Sequence, residues 1–315
     1  MSADAAGPAP TSPVPTPDAP TILESLDLRS PDAVIATFRA GAQACRAAAC
    51  RRGSIDLIRA PGRLIATGDL HDNPLHLARL VEAAGVSRAG ATPRAHLTLH
   101  EIIHGDRLIN GMDFSFRALA RVAALKAAHP EHVHVLLANH ELSQVIGAGV
   151  VKDGVRCVDA FNEAVETTFG DAAADVSDAI ADFIRAMPLA LRCEGAGGTI
   201  LCSHSLPEPA LMDRFDPAVL ERDLTDDDYV PRRGSAHLMT WGRGHTPDQL
   251  AVLAERWNVR LFILGHEKAD NGAMVVGPSA IVLNSDHARG VYLDIDLDHP
   301  PTAEEAMALV RPLGG

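Results

Sequence analysis

The stretch Leu64-Ile65-Ala66-Thr67-Gly68-Asp69-Leu70-His71-Asp72-Asn73 decides how this chain is read. Its first four residues read as a short strand. Asn73-Pro74 then opens a helical pattern that runs to about Ala84 and stops at Gly85. A carboxylate and an imidazole, Asp69 and His71, are thus presented side by side where a strand ends. One Asp-x-His pair is common by chance. It gains weight because further short segments along the chain place metal-binding side chains at the ends of apolar runs.

Working outward, residues 96–103 read as a strand that ends at Gly105-Asp106, and residues 114–128 as a helix. Residues 132–138 form a second apolar strand, ending at Asn139-His140-Glu141. Strands over 199–202 and 260–264 end at Ser203-His204-Ser205 and at Gly265-His266. Alternation of strand, loop and helix is the signature of an α/β fold, and ligands in such sheets bind at the carboxyl ends of the strands. His100 and His104 read as strand-face and loop histidines, with no role assigned.

The flanking segments are simpler. Ser30-Pro31-Asp32 starts the first helix, with a capping serine, a first-turn proline and an acid at the positive end. Strands at 55–58 and 63–66 flank Pro61-Gly62, which suggests a hairpin. Residues 158–187 are helical and acidic, an insertion or cap over one edge. Thr246-Pro247-Asp248-Gln249 is a capping box. Its helix reaches about Trp257, and strands near 280–283 and 291–295 close the chain.

Composition bounds the function. With 41 acidic against 28 basic residues the formal charge is −13, which argues against a nucleic-acid duplex or an anionic membrane as partner. A small anionic substrate stays possible, because bound divalent cations reverse a local field. No apolar run approaches the roughly 18–20 residues of a membrane span. Five cysteines, an odd number without a C-x-x-C pair, point to reduced thiols in the cytoplasm. Residues 1–20, rich in proline and alanine, read as a disordered tail, and 21–315 as one domain with the helical cap or insertion at about 155–187.

Asp69, His71, Asp106, Asn139, His204 and His266 together offer carboxylate, imidazole and amide oxygen. That set suits Mn²⁺, Fe or Zn²⁺ better than Ca²⁺. Two such ions held about 3.5–4 Å apart bind phosphate and acidify a shared water. The segments GDLHDN (68–73), GDRLING (105–111), ANHE (138–141), SHSLP (203–207) and LGHE (264–267) resemble, in order and separation, the five blocks of the calcineurin-like metallophosphoesterases. The nearest branch is that of the phosphoprotein phosphatases and diadenosine tetraphosphatases.

The resemblance covers about residues 60–297. It implies an α/β four-layer sandwich of two mixed β-sheets flanked by helices. It also implies two divalent metal ions, Mn first, with Fe or Zn as alternatives. Asp69, His71 and Asp106 would hold one ion. Asp106, Asn139, His204 and His266 would hold the other, with Asp106 bridging. His140 matches the general acid, and Glu141 follows it. The acid and the phosphate-binding arginine of the family's second block are replaced by Ile109 and Asn110. Arg107 and Arg243 are the candidate substitutes for substrate binding.

The implied activity is hydrolysis of a phosphate monoester by a hydroxide bridging two metal ions. The substrate is a small molecule, a nucleotide or a phosphoprotein, and a serine/threonine phosphatase is one form of the reading. A dinucleoside-polyphosphate hydrolase is an alternative, and a metal-binding scaffold without catalysis is another.

Overall fold

The computed structural model describes residues 20–148, 150–152 and 154–314. The tail expected over 1–20 lies, Pro20 apart, outside the described residues. The first half of the chain runs α1 (Pro31–Ala47), β1 (Arg51–Arg52), β2 (Ile55–Arg59), β3 (Arg63–Thr67), α2 (Pro74–Ala84), β4 (His96–Leu99), α3 (Phe116–Ala128), β5 (Val133–Val135), α4 (Asn139–Ile146), β6 (Val151–Lys152), β7 (Val155–Arg156), α5 (Cys157–Phe169) and α6 (Ala173–Arg185). The second half runs β8 (Ala190–Gly195), β9 (Gly198–Ser203), α7 (Ser235–Trp241), α8 (Pro247–Trp257), β10 (Leu261–Leu264), β11 (Ala273–Val276), β12 (Ala280–Leu283), β13 (Val291–Asp296), α9 (Ala303–Met307) and β14 (Val310–Pro312).

Two large mixed sheets carry the fold. One has seven strands in the order β1-β2-β8-β9-β10-β12-β11, the other five in the order β14-β13-β3-β4-β5. Strand periodicity explains how they stack. Successive side chains point to opposite faces of a strand. Leu64 and Ala66 of β3, Leu293 and Ile295 of β13, Ile200 and Cys202 of β9, Leu261 and Ile263 of β10, and Ile281 and Leu283 of β12 share one buried cluster. That cluster is the filling between the sheets. Their neighbours Ile65, Leu201, Phe262, Leu264 and Val282 belong to the other cluster, with the helices that flank the sheets. Strands buried on both faces are near-continuous apolar runs, which is why the sequence shows runs rather than clean alternation.

The expected hairpin around Pro61-Gly62 is not formed. β2 pairs with β1 and β8, whereas β3 pairs with β4 and β13. The segment between them carries the chain from one sheet to the other. Local turn chemistry cannot separate those outcomes, because both need a sharp reversal. The helical stretch after β7 forms α5 and α6. These pack on each other, and α6 also packs on α1 and α4, with the Phe38 and Phe183 rings 5.8 Å apart. No helix among the described residues is long and apolar enough to cross a membrane.

A polar cluster is enclosed between β2, α3 and β5. Asp56 lies 2.8 Å from Arg51 Nε, 2.8 Å from His134 Nδ1 and 3.7 Å from Lys126 Nζ. The side chains of Asp56 and Lys126 are fully buried. Burial raises the Asp56 carboxyl, but His134, Lys126 and Arg51 overcome it and hold the group well below the usual range. The carboxylate therefore stays ionised in the fold at pH values where the unfolded chain, at about 3.9, takes up a proton. Its stabilisation is complete above that pH and is lost as pH falls below it. Asp56→Ala leaves the buried Lys126 ammonium without its carboxylate, though Nζ still donates to the Pro130 carbonyl at 2.7 Å. It is expected to lower the unfolding free energy by about 3–5 kcal/mol in urea titrations at neutral pH. A loss within roughly 0.5 kcal/mol, as for an ordinary surface change, would show that Lys126 finds its stabilisation elsewhere.

Candidate metal centre

The parallel strands β3, β4 and β5 of one sheet and β9 and β10 of the other all release their chains toward one region. Asp69 ties the two sheets together there, forming parallel bridges to both His100 and Asn284. The backbone is strained where the side chains converge. His71, Asp72, Glu101, His104 and His266 all have positive φ, between 44° and 65°. Such conformations cost about 1–3 kcal/mol each and cluster at functional sites. Close approach explains Gly265: a Cβ there would sit 2.2 Å from Asp69 Oδ1 and 2.6 Å from His100 Cε1.

Glu101 is the centre of the cluster. Its Oε1 lies 3.0 Å from His71 Nε2 and 3.8 Å from His140 Nε2, and its Oε2 lies 2.7 Å from His204 Nε2. The same His204 nitrogen lies 2.7 Å from Asn139 Oδ1 and 3.1 Å from His266 Nδ1. One imidazole N–H serves one acceptor well, so this crowding exceeds what hydrogen bonding explains. The buried His266 Nε2 and His140 Nδ1 have no partner among the described residues. Oxygen and imidazole-nitrogen donors gathered in this way fit divalent transition-metal ions.

Hydrogen bonds behind the cluster set which atoms face it. His71 Nδ1 lies 3.3 Å from the Ile103 carbonyl, and a proton donated there leaves Nε2 free to ligate. His100 Nε2 lies 2.9 Å from the Thr67 carbonyl, and its Nδ1 is 3.1 Å from His204 Nδ1. A proton on His204 Nδ1 then leaves the His204 Nε2 lone pair beside Asn139 Oδ1 and His266 Nδ1, three donor atoms that a shared cation would draw together. Partners of this kind orient ligating imidazoles. Glu141 accepts from the backbone N–H groups of Ile102 and Ile103 at 2.7 and 3.2 Å, which fixes the turn that carries Glu101. Asp69 accepts from His266 N–H, with both carboxylate oxygens within 3.0 Å.

Electrostatics also mark the site. Burial, and then the neighbouring Glu101, raise the Asp69 carboxyl to about 7. Burial also acts against charge on His71, yet Glu101 and Asp69 prevail and lift it to about 9. His140, buried as well, falls to about 3. Two enclosed carboxylates in one cluster favour a cation between them.

The sequence-derived residues land unevenly. Asp69, His71, Asn139, His140, His204 and His266 lie in or against the cluster. Asp106 does not. Its side chain is 76% exposed and pairs with Lys152 at 2.7 Å. β4 ends at Leu99, four residues before the expected end, so the carboxylate at its mouth is Glu101. Glu101 takes the central position assigned to Asp106, a correction to the sequence reading. His100 and His104 were also passed over. The usable signal was the polar pair His100-Glu101 breaking the apolar run, with His104 directly after the Ile102-Ile103 pair that disguised the break. Arg107 Nη1 donates to the His71 and Asp72 carbonyls at 2.9 and 3.0 Å. Arg243 Nη1 donates to the His266 carbonyl at 2.6 Å. The two arginines therefore hold the backbone of the segments that carry His71 and His266. Ile109 is 53% exposed, consistent with a position outside the cluster.

Residues 62–270 match the model of the calcineurin-like phosphoesterase family. The chain belongs to that family. A calcineurin-like phosphoesterase is a hydrolase of phosphoester bonds that uses divalent metal ions, and the carboxylate–imidazole clusters described above are the candidate ligands. Among solved structures, the chain is similar to a protein serine/threonine phosphatase from Saccharomyces cerevisiae, with 15% identity, TM-score 0.63, and 85% of this chain and 83% of that one covered. It is also similar to the cold-active protein-tyrosine phosphatase of a psychrophilic Shewanella, with 14% identity, TM-score 0.52, and 78% and 82% covered. At these identities the likeness concerns the fold. No curated protein matches the sequence significantly.

Metal analysis separates the two carboxylates. After loading with Mn²⁺ and desalting, Glu101→Gln is expected to lose most bound metal while Asp106→Asn keeps the wild-type content. The opposite pattern would return the central position to Asp106.

Proposed function

We propose that this calcineurin-like phosphoesterase hydrolyses a phosphate monoester at the cluster centred on Glu101. The observation that carries the reading is the convergence of Asp69, His71, Glu101, Asn139, His204 and His266 on one point, with His140 against it. Asp69, His71 and Glu101 would hold one divalent ion, and Glu101, Asn139, His204 and His266 a second, with Mn²⁺ first and Fe or Zn²⁺ as alternatives. When bound, such ions neutralise phosphoryl charge and acidify water.

The chain's own groups do the rest. His140 is buried, and its ring centre is 5.2 Å from that of His71; a phosphate bound beside it would offset the burial that keeps the free imidazole neutral, and the protonated ring would then serve the departing ester oxygen. His104 packs on the other side of His140, with ring centres 5.4 Å apart, and is fixed by Asp113 at 2.8 Å from its Nδ1. We assign His104 and Asp113 the task of positioning His140, which the sequence reading left without a partner once residue 109 proved to be isoleucine. Arg107 and Arg243 each use part of a five-donor guanidinium on the backbone and keep further N–H groups for phosphate oxygens. The five buried, unpaired cysteines support a cytoplasmic location.

Hydrolysis of p-nitrophenyl phosphate by the Mn²⁺-loaded protein is the test. His140→Ala is expected to lower kcat by about 10²–10⁴ with metal content retained. An undiminished kcat would remove His140 from proton transfer. A loaded wild type inert across a broad phosphoester panel would favour the scaffold reading.

A further inference from the structure

Three further histidines gather on β4 and β5, at the ends of these strands remote from the Glu101 cluster. His96 is the first residue of β4, and His132 directly precedes β5, which carries His134. In the parallel register Leu97 faces Val133 and Thr98 faces His134, so His96 lies beside His132. The β3 partner of His96 is Leu64, part of the filling between the sheets. Alternation along each strand therefore turns all three imidazoles toward the other sheet. From that sheet β2 sends Asp56 to meet His134.

The donor atoms are already aimed. His134 Nδ1 lies 2.8 Å from Asp56 Oδ2, and a proton donated there leaves Nε2 as a lone pair. A carboxylate behind an imidazole is the arrangement that orients metal-binding histidines. His134 Nε2 lies 3.1 Å from His96 Nδ1. Two nitrogens on one tetrahedral zinc ion, each about 2.0–2.1 Å from it, stand about 3.3–3.4 Å apart. The pair is thus close to ligand spacing, and without an ion one ring donates to the other. His132 stacks on His96, with centres 4.8 Å and planes 16° apart. His96 and His132 are half-buried, which gives an ion a path to the enclosed His134. Burial lowers all three imidazoles, His96 to about 3, so each is in the neutral form that ligates metal. Asp56 and Glu131 offset the charges of Arg51 and Lys126, and Glu131 is held by the Ala49 and Cys50 N–H groups at 2.7 and 3.0 Å.

We propose that His96, His132 and His134 form a separate site for one divalent transition-metal ion, with Asp56 orienting His134. His134 Nε2 and His96 Nδ1 are its two preset donors. His132 supplies the third by turning its half-buried ring out of the stack, and water completes the shell. Imidazole donors suit Zn²⁺, Cu²⁺ and Ni²⁺, whereas Mn²⁺ is the weakest binder of the series. Through His134 and Asp56 the ion would tie β4 and β5 to β2, and so one sheet to the other. The site is independent of the proposed hydrolysis.

The experiment measures zinc content after loading with Zn²⁺ and desalting. Wild type is expected to hold one equivalent more than His96→Gln/His132→Gln. The Mn²⁺-loaded double variant should match Mn²⁺-loaded wild type in p-nitrophenyl phosphate hydrolysis. Cu²⁺ added to Glu101→Gln is expected to show imidazole-nitrogen splitting in its electron paramagnetic resonance spectrum. That splitting should vanish when the two histidine substitutions are added. Equal zinc content in wild type and the folded double variant overturns the site, as does splitting that persists without His96 and His132. Loss of hydrolysis in a folded double variant overturns its separateness from the Glu101 cluster. If the double variant does not fold by circular dichroism, His132→Gln alone is used in the Glu101→Gln background. It is expected to weaken Zn²⁺ binding at least tenfold by calorimetry, and unchanged affinity overturns the proposal. A wild type inert toward every phosphoester removes the hydrolysis and leaves these metal readouts able to uphold the site.

Discussion

The structure depends on a carboxylate placed among imidazoles. Glu101 lies within hydrogen-bond range of His71 and His204 and close to His140, and these three residues come from three different strand ends in two different sheets. Burial alone would keep such a carboxyl protonated. The facing imidazoles reverse that and hold it well below its usual range. These side chains meet only when the strand ends that carry them are in register, so register of the sheets and assembly of the centre are a single constraint.

That constraint accounts for the local irregularities around it. Residues at 71, 72, 101, 104 and 266 adopt left-handed backbone without being glycine, and Gly265 is small because Asp69 and His100 occupy the space above it. Strain of this kind persists where surrounding structure overdetermines it. Here the sheets, buried on both faces, are the rigid frame, and Glu141 clamps the Glu101 turn through two backbone amides.

The fold class, and most of the candidate side chains that converge, were legible in the sequence because each rests on a local pattern. The cap at Ser30 and the Asn73-Pro74 start fix α1 and α2. Apolar runs ending in Asp69, Asn139, His204 and His266 mark strand ends. What was not legible depended on where a strand stops and which sheet it joins. The run from His96 to Ile103 is apolar enough to hide the end of β4 at Leu99, and that displaced the central carboxylate from Glu101 to Asp106. Pro61-Gly62 marks a reversal but not its destination, so a passage between sheets read as a hairpin. His104 and Asp113 are nine residues apart around an irregular loop, and no periodicity brings them together.

The bridging of both sheets by Asp69 has a thermodynamic consequence. A residue that pairs with His100 on one side and Asn284 on the other makes the two halves of the sandwich meet at the donor set itself. Any ion bound there contacts a surface that exists only while the halves are docked. Occupancy then raises the free energy of unfolding through mass action, by about 2.7 kcal/mol at one hundred times the dissociation constant. The cellular supply of the ion thereby becomes a regulator of how long the chain survives, and not only of how fast it works.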